Sequence, residues 1–309
     1  MKILLKNNQS PGDILMLTAA VRDLKEAHHS VQIGVATSAM PLWDNNWNID
    51  RSLRESDVDR VIRIGYPLIN ESDKLPYHFV HAFRKELEMQ LGLSIPQGPF
   101  KGDLHLTDDE KRPLPAVAGM KRYWIVDAGY KRDFTLKNWG VEQYQKVVDM
   151  LRGKVTFVQI GEASKDHMHR PLNGAVNLIG KTSIRELIRL VYGAAGVLTP
   201  VSFPMHLAAA VPTPDGRLRP CVVVAGGREP STWEAYPGHV FLHTVGMLDC
   251  CRSGGCWRAR AEKLNDGTAS DRSICSHPVR VGCDLIGKCM ALVRPETVAS
   301  IISDFEDNA

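Results

Sequence analysis

The sequence contains no run of eighteen consecutive apolar residues, and the apolar stretch in its opening MKILLKNNQSPGD is far shorter than the core of a secretory leader. No transmembrane segment is expected, and the cytoplasm is the expected location. G-x-G-x-x-G, a Walker loop, H-E-x-x-H and G-x-S-x-G are all missing. Their absence argues against dinucleotide oxidoreductases and phosphoryl-transfer ATPases. Charge of one sign is also scarce: 38 Lys and Arg stand against 35 Asp and Glu, a net +3 that does not by itself call for a nucleic-acid partner. Hydrophobic residues at 44% and charged residues at 24% are the proportions of a globular protein, which excludes a disordered or fibrous chain. At 309 residues the chain is too long for one ordinary core and suits two domains.

Cysteine is concentrated rather than scarce, since six of the seven lie between Cys250 and Cys289 in a glycine-broken stretch reading CCRSGGCW, ICSHP and GCDLIGKCM. Such a segment has too little apolar content to fold alone, and a tetrahedral ion held by soft sulfur ligands supplies folding free energy directly. The preferred set is Cys251, Cys256, Cys275 and Cys289, with Cys250 and Cys283 as replaceable members and His277 as a substitute. Disulfides or small buried thiols are the alternatives, and a reducing compartment favours the metal, iron or zinc. Seven Lys or Arg against four Asp or Glu between Cys250 and Met290 place a local excess of 7 − 4 = +3 there. A zinc-containing nucleic-acid-binding protein is therefore a rival reading, weakened by the lack of aromatics interleaved with the basic residues.

The rest alternates strand and helix. Short apolar strands are predicted at 3–5, 31–35 and 58–64. Between the first two, Ile14, Leu17, Val21 and Leu24 recur at intervals of three and four, on one face of a helix. A charged helix is expected at 83–91. The proline-broken, charged run DDEKRPLPAVAG at 108–119 interrupts the pattern, and its 113–119 portion is taken as the linker between a lobe at 1–112 and one at 120–249. Beyond it strands are expected at 123–126, 155–160, 197–198 and 221–225, with helices at 141–151, after the Ser183/Glu186 capping box, and from Pro204. The cysteine segment then occupies 250–293, and an amphipathic helix in 294–309, through Val298, Ile301, Ile302 and Phe305, is expected to cross back onto the first lobe. Strand and helix units on both sides of a linker predict an α/β protein with two facing parallel-sheet lobes.

Gly12 and Asp13 fall at the turn after the first strand, where open parallel sheets present ligand-binding residues, although Asp is also a favoured helix cap. In TPVSFPMHLAAAV a strand passes into a helix, leaving the amides near Ser202, Pro204, Met205 and His206 to attract phosphate. Lys131, Arg132 and Lys137 stand in GYKRDFTLKNWG, and Glu162 and Asp166 lie just past a strand, where a carboxylate commonly holds ribose hydroxyls.

Taken in order, GDILMLTAAVRDL, LKNWGVEQYQKVV, LIGKTSIREL, HLAAAV, GGREPSTW and CMALVRPETV resemble the ADP-heptose glycosyltransferases of the lipopolysaccharide heptosyltransferase family, glycosyltransferase family 9. FPMHLAAAV and CCRSGGCW bring the chain closest to the bacterial autotransporter heptosyltransferases, which transfer heptose to protein serines and hold iron through four cysteines. The resemblance implies a GT-B fold of two Rossmann-like lobes, ADP-heptose as donor, a protein or glycan acceptor, a structural cysteine-bound metal and a possible homo-oligomer. It also implies that Asp13 is the general base of an inverting transfer and that Lys137 and the Pro204 helix stabilise the departing diphosphate. One departure is that Thr199, Pro200, Val201 and Ser202 stand where the lipopolysaccharide enzymes have an Asp-Thr-Gly run. Another nucleotide sugar, or epimerisation of one, is the alternative within the same architecture.

Overall fold

A computed structural model describes residues 1–65, Leu68 and 77–308. Its first lobe contains β1 (Lys2–Asn7), α1 (Pro11–Ala27), β2 (Gln32–Thr37), β3 (Arg60–Arg63) and α2 (Ala82–Leu91). The three strands pair in parallel in the order β2-β1-β3, so β1 is central and its carboxyl end opens directly into α1. Pro11 at the first helical position and Asp13 in the first turn start α1 where the missing proline donor costs nothing. Twelve of its seventeen residues are buried, wedged between the sheet and the rest of the molecule.

The second lobe runs through β4 (Trp124–Asp127), β5 (Tyr130–Lys131), α3 (Val141–Met150), β6 (Phe157–Ile160), β7 (His167–Met168), β8 (Val176–Asn177), α4 (Ile184–Gly193), β9 (Gly196–Pro200), α5 (Phe203–Ala210), β10 (Cys221–Gly226), α6 (Ser231–Glu234) and β11 (His239–His243). Six of these strands form one parallel sheet, ordered β11-β10-β9-β4-β6-β8. Numbered within the lobe this is 6-5-4-1-2-3, the doubly wound dinucleotide-fold order, whose strand direction of winding reverses between β4 and β9. Ser183 and Glu186 cap α4, with the Ser183 amide donating to Glu186 Oε2 at 2.8 Å. The predicted strands and helices thus appear in both lobes, the first sheet being half the size of the second.

One expectation fails. α8 (Pro295–Asp307) does not return to the first lobe but packs on α3 and β10 of the second. Its buried Val298, Ala299 and Ile302 join the core around Trp139, Tyr144 and Val148, and Glu306 accepts from Trp124 Nε1 at 2.7 Å and pairs with Arg122. An amphipathic pattern specifies that a face is buried, not which surface buries it.

Between β11 and α8 lies the cysteine segment, made of turns, the antiparallel hairpin β12 (Pro278–Val281) and β13 (Asp284–Gly287), and α7 (Lys288–Ala291). With few apolar residues of its own, it is organised around Arg260. That fully buried guanidinium pairs with Asp266 at 2.7 Å, Asp271 at 2.5 Å and Asp133 at 3.3 Å and donates to the Arg132 carbonyl. The segment is thereby tied to the loop that carries Lys137. No helix among the described residues is long and apolar enough to cross a membrane.

Candidate active site

The two lobes meet where α1 and α5 start. A Cβ added at Gly12 would lie 3.2 Å from His206 Cδ2 and 3.9 Å from the Phe203 Cα, so the absence of a side chain lets the helices approach this closely. His206 is held from two sides, with Nδ1 2.9 Å from the Tyr236 hydroxyl and Nε2 3.6 Å from Glu234 Oε2. The Tyr236 hydroxyl reaches on to Met16 Sδ on α1, at 3.0 Å. Burial drives the His206 imidazole well below its usual range, helped by His78 and Lys137, so the ring is neutral.

Around this contact sits a buried group of opposite charges. Asp13, 6% exposed, accepts the Ser10 amide at 2.9 Å and so caps α1, while its field acts on both Lys137 and Glu234. Lys137 Nζ lies 3.0 Å from Glu229 Oε1, which also binds Arg228. Burial pushes the Lys137 ammonium down to about 8, with Arg228 adding to the depression and Glu234 and Asp13 opposing it. Glu234 shifts the other way, raised by burial against the pull of Lys137 and Arg228. Glu229 Oε2 and Glu234 Oε2 are buried with no hydrogen-bond partner among the described residues, a cost of about 1–3 kcal/mol each unless something donates to them. Lys137, with 25% of its side chain open, marks where the cluster reaches solvent.

A second polar focus lies at the switch point of the large sheet. Asp127, the last residue of β4, accepts the Ser202 hydroxyl at 2.9 Å and the Gly129 amide at 3.2 Å, and Ser202 also meets Thr199 Oγ1 at 2.9 Å. Ser202, at the N-cap of α5, therefore leaves the first-turn amides of that helix uncapped by its side chain. His169 stands 3.7 Å from Asp127 and fills the space over Gly129 and Gly161, where any side chain would collide with its ring. Burial raises Asp127 and lowers His169.

Of the residues singled out in the sequence, Asp13, Gly12, Lys137 and His206 come together in the interlobe cluster. Pro204 and Met205 are buried in the packing of α5, and Ser202 belongs to the Asp127 network. Lys131 ends the two-residue strand β5, which pairs antiparallel with β7 and so brings the loop of Glu162 and Asp166 alongside, and Arg132 follows directly. Arg132 donates its amide to the Asp166 carbonyl at 2.8 Å, and Glu162 lies exposed, 3.4 Å from His167. Four calls therefore share one rim, at the carboxyl ends of β4 and β6. Arg228, Glu229, Glu234 and Asp127 were not singled out. The hints were an acidic residue closing a buried strand in WIVD and two glutamates in GGREPSTWE, directly after another.

The cysteine cluster lies behind the Arg228 loop. Cys251 and Cys289 pack on Gly227, Cys256 donates its amide to the Gly227 carbonyl at 3.1 Å, and the Cys275 and Cys289 sulfurs flank Gly287. All seven thiols are free, which removes the disulfide alternative here. Burial raises Cys256, Cys275 and Cys289, and burial plus the neighbouring thiols pushes Cys250 up to about 11. Among the described residues, however, no three His, Cys, Asp or Glu side chains stand together as a ligating group, so the expected metal centre is not seen. Cys283 points elsewhere, exposed and against Arg170.

Residues 67–215 match the family model of glycosyltransferase family 9 (heptosyltransferase). Over that stretch, just under half of its length, the chain is similar to the family 9 glycosyltransferases. No curated protein matches it by sequence. Among solved structures, a family 9 glycosyltransferase from Veillonella parvula is similar over 100% of this chain and 97% of its own, with TM-score 0.66 and 14% identity. The iron-containing dodecameric glycosyltransferase TibC from enterotoxigenic E. coli gives 0.65 and 16%, over 99% of this chain and 76% of TibC, and has also been solved with ADP-D-β-D-heptose. The E. coli ADP-heptose lipopolysaccharide heptosyltransferase II gives 0.60 and 14%, over 100% and 99%. At these identities the likeness shows the fold, two parallel-sheet lobes of the GT-B kind, and the glycosyltransferase carries its cluster of charges at their junction.

Proposed function

We propose that this glycosyltransferase transfers a heptose from ADP-heptose to an acceptor hydroxyl, on a protein serine or a glycan, with inversion at the anomeric carbon. The observation that carries the reading is the buried interlobe cluster, in which a carboxylate from the first lobe, Asp13, shares a field with the Lys137 ammonium of the second. In this scheme the acceptor oxygen attacks the anomeric carbon as Asp13 takes its proton, and the bond to the diphosphate breaks with its electron pair leaving on ADP. A positioned carboxylate typically contributes about 10²–10⁴ in rate. Charge developing on the diphosphate is met by Lys137 and by the amides opening α5, where a helix terminus contributes about 0.3–1 kcal/mol at the surface and more when desolvated. Glu162 and Asp166 are assigned to the ribose, and Lys131 and Arg132 to the outer face of the nucleotide. His206, neutral and clamped, spaces α1 from α5.

A cysteine-held ion is part of the proposal as a structural element. Cys251, Cys256, Cys275 and Cys289 suit a soft metal by donor chemistry, and TibC, similar in fold, is iron-containing. TibC is also dodecameric, which makes a homo-oligomer the expected assembly. The donor is tested by thermal-shift ranking of ADP, UDP, GDP and their sugars. ADP and ADP-heptose are expected to raise Tm most, and a larger shift with UDP or GDP overturns the assignment.

A further inference from the structure

Trp47 is the most exposed large apolar side chain among the described residues, at 77%. Indole is usually among the more buried surfaces of a protein, and this one is held out by construction. Its neighbours Asn46 and Asn48 are both buried, and their amides donate to a single oxygen, Asp103 Oδ2, at 3.2 and 3.1 Å. His105 Nε2 meets the same oxygen at 2.9 Å, and the Asn48 amide closes the turn on Asn46 Oδ1. The His105 ring then supports the edge of the indole, with centroids 3.8 Å apart. One carboxylate oxygen thus anchors both sides of the displayed residue, while Asp103 Oδ1 has no partner among the described residues.

Trp47 forms one wall of an open groove of about 370 Å³, whose other wall is the second half of α1 and the turn after it, with Arg22, Lys25, Glu26 and His29. Its cations are already engaged. Arg22 binds Asp23 and the carbonyls of Pro99 and Lys101, and Lys25 Nζ binds the carbonyls of His29 and Val31. An anionic ligand or membrane surface finds no uncommitted cation there, and the formal charges of Arg22, Lys25, Glu26 and Asp103 cancel. What remains is an exposed aromatic face beside carboxylate oxygens able to accept hydroxyl donors.

We propose that this groove is a second ligand site, binding a neutral saccharide whose C–H face stacks on Trp47 while its hydroxyls donate to Asp103 Oδ1 and Glu26. The electron-rich face of the ring attracts the polarised C–H groups of a pyranose, and a rigid indole contributes contact area at little entropic cost. From Asp13 to the groove residues Arg22–Glu26 is nine to thirteen helical residues, about 14–20 Å along α1, so the site stands apart from the interlobe cluster and does not depend on the donor assigned to it.

The test is binding of the full chain to an array of neutral mono- to tetrasaccharides, with the strongest binder then titrated calorimetrically. Trp47→Ala is expected to weaken that binding by about tenfold or more and Trp47→Phe by less, with both variants melting like the wild type because the side chain is exposed. Donor binding at the interlobe cluster is expected to be unchanged in both. The proposal is overturned if no neutral saccharide binds the wild type, or if Trp47→Ala binds as well as the wild type does. It is equally overturned if that substitution changes only the subunit number or only the adsorption to anionic vesicles, which would make the indole a subunit or membrane contact.

Discussion

Raising the pH through 8 should release ADP, because the ammonium assigned to its diphosphate is already poorly stabilised. Burial lowers Lys137 to about 8 in the free protein, and an adjacent diphosphate would restore the proton by raising that value. Binding then takes up a proton wherever the free lysine has lost it. The protonated fraction of a group at 8 is about 10/11 at pH 7 and about 1/11 at pH 9, so affinity should fall about tenfold between them. The assay is calorimetric titration of ADP at several pH values with wild type, Lys137→Arg and Lys137→Met. Lys137→Arg, which stays charged, should flatten the profile, and Lys137→Met should be weak throughout. A wild-type profile identical to that of Lys137→Arg would refute the argument. The same depression has a stability consequence of definite sign. Between about 8 and the unfolded value of 10.5 the folded chain binds fewer protons at this residue, so its contribution to stability rises with pH across that window.

Gly12→Ala should lower transfer about tenfold with ADP affinity kept, because the new Cβ presses on a His206 that Tyr236 and Glu234 prevent from yielding; steady-state kinetics beside ADP titration separates the two. Cys256→Ser should lower bound iron or zinc and Tm together, measured by elemental analysis and calorimetry, and wild-type protein purified without either metal would contradict the structural ion. Arg260→Met should lower the denaturant midpoint, since it leaves Asp266, Asp271 and Asp133 facing an uncharged side chain, and an unchanged midpoint would contradict its role as organiser.

Much of the fold was legible because buried strands and one-faced helices leave periodic traces. Ile14, Leu17, Val21 and Leu24 marked α1, and the Ser183/Glu186 pair marked the start of α4. Periodicity carries no address, however, which is why α8 was expected on the wrong lobe. In the site, residues at strand ends were found because open sheets present ligands there, and Asp13, Lys137 and His206 do converge. Arg228, Glu229 and Glu234 were not found, since their importance arises from a loop after β10 meeting Lys137 and the field of Asp13, both far earlier in the chain. The thiols crowded together in sequence also crowd around Gly227 and Gly287, but crowding is a weaker condition than ligation.

Asp13→Asn tests the central claim most directly, because asparagine keeps an oxygen for the Ser10 amide and so spares the cap while removing the base. Product formation from ADP-heptose would be measured with a mixed pool of serine peptides and glycans as acceptors, alongside ADP affinity. Transfer should fall by about 10²–10⁴ with ADP affinity and Tm near wild type; transfer at the wild-type rate would remove Asp13 from the chemistry.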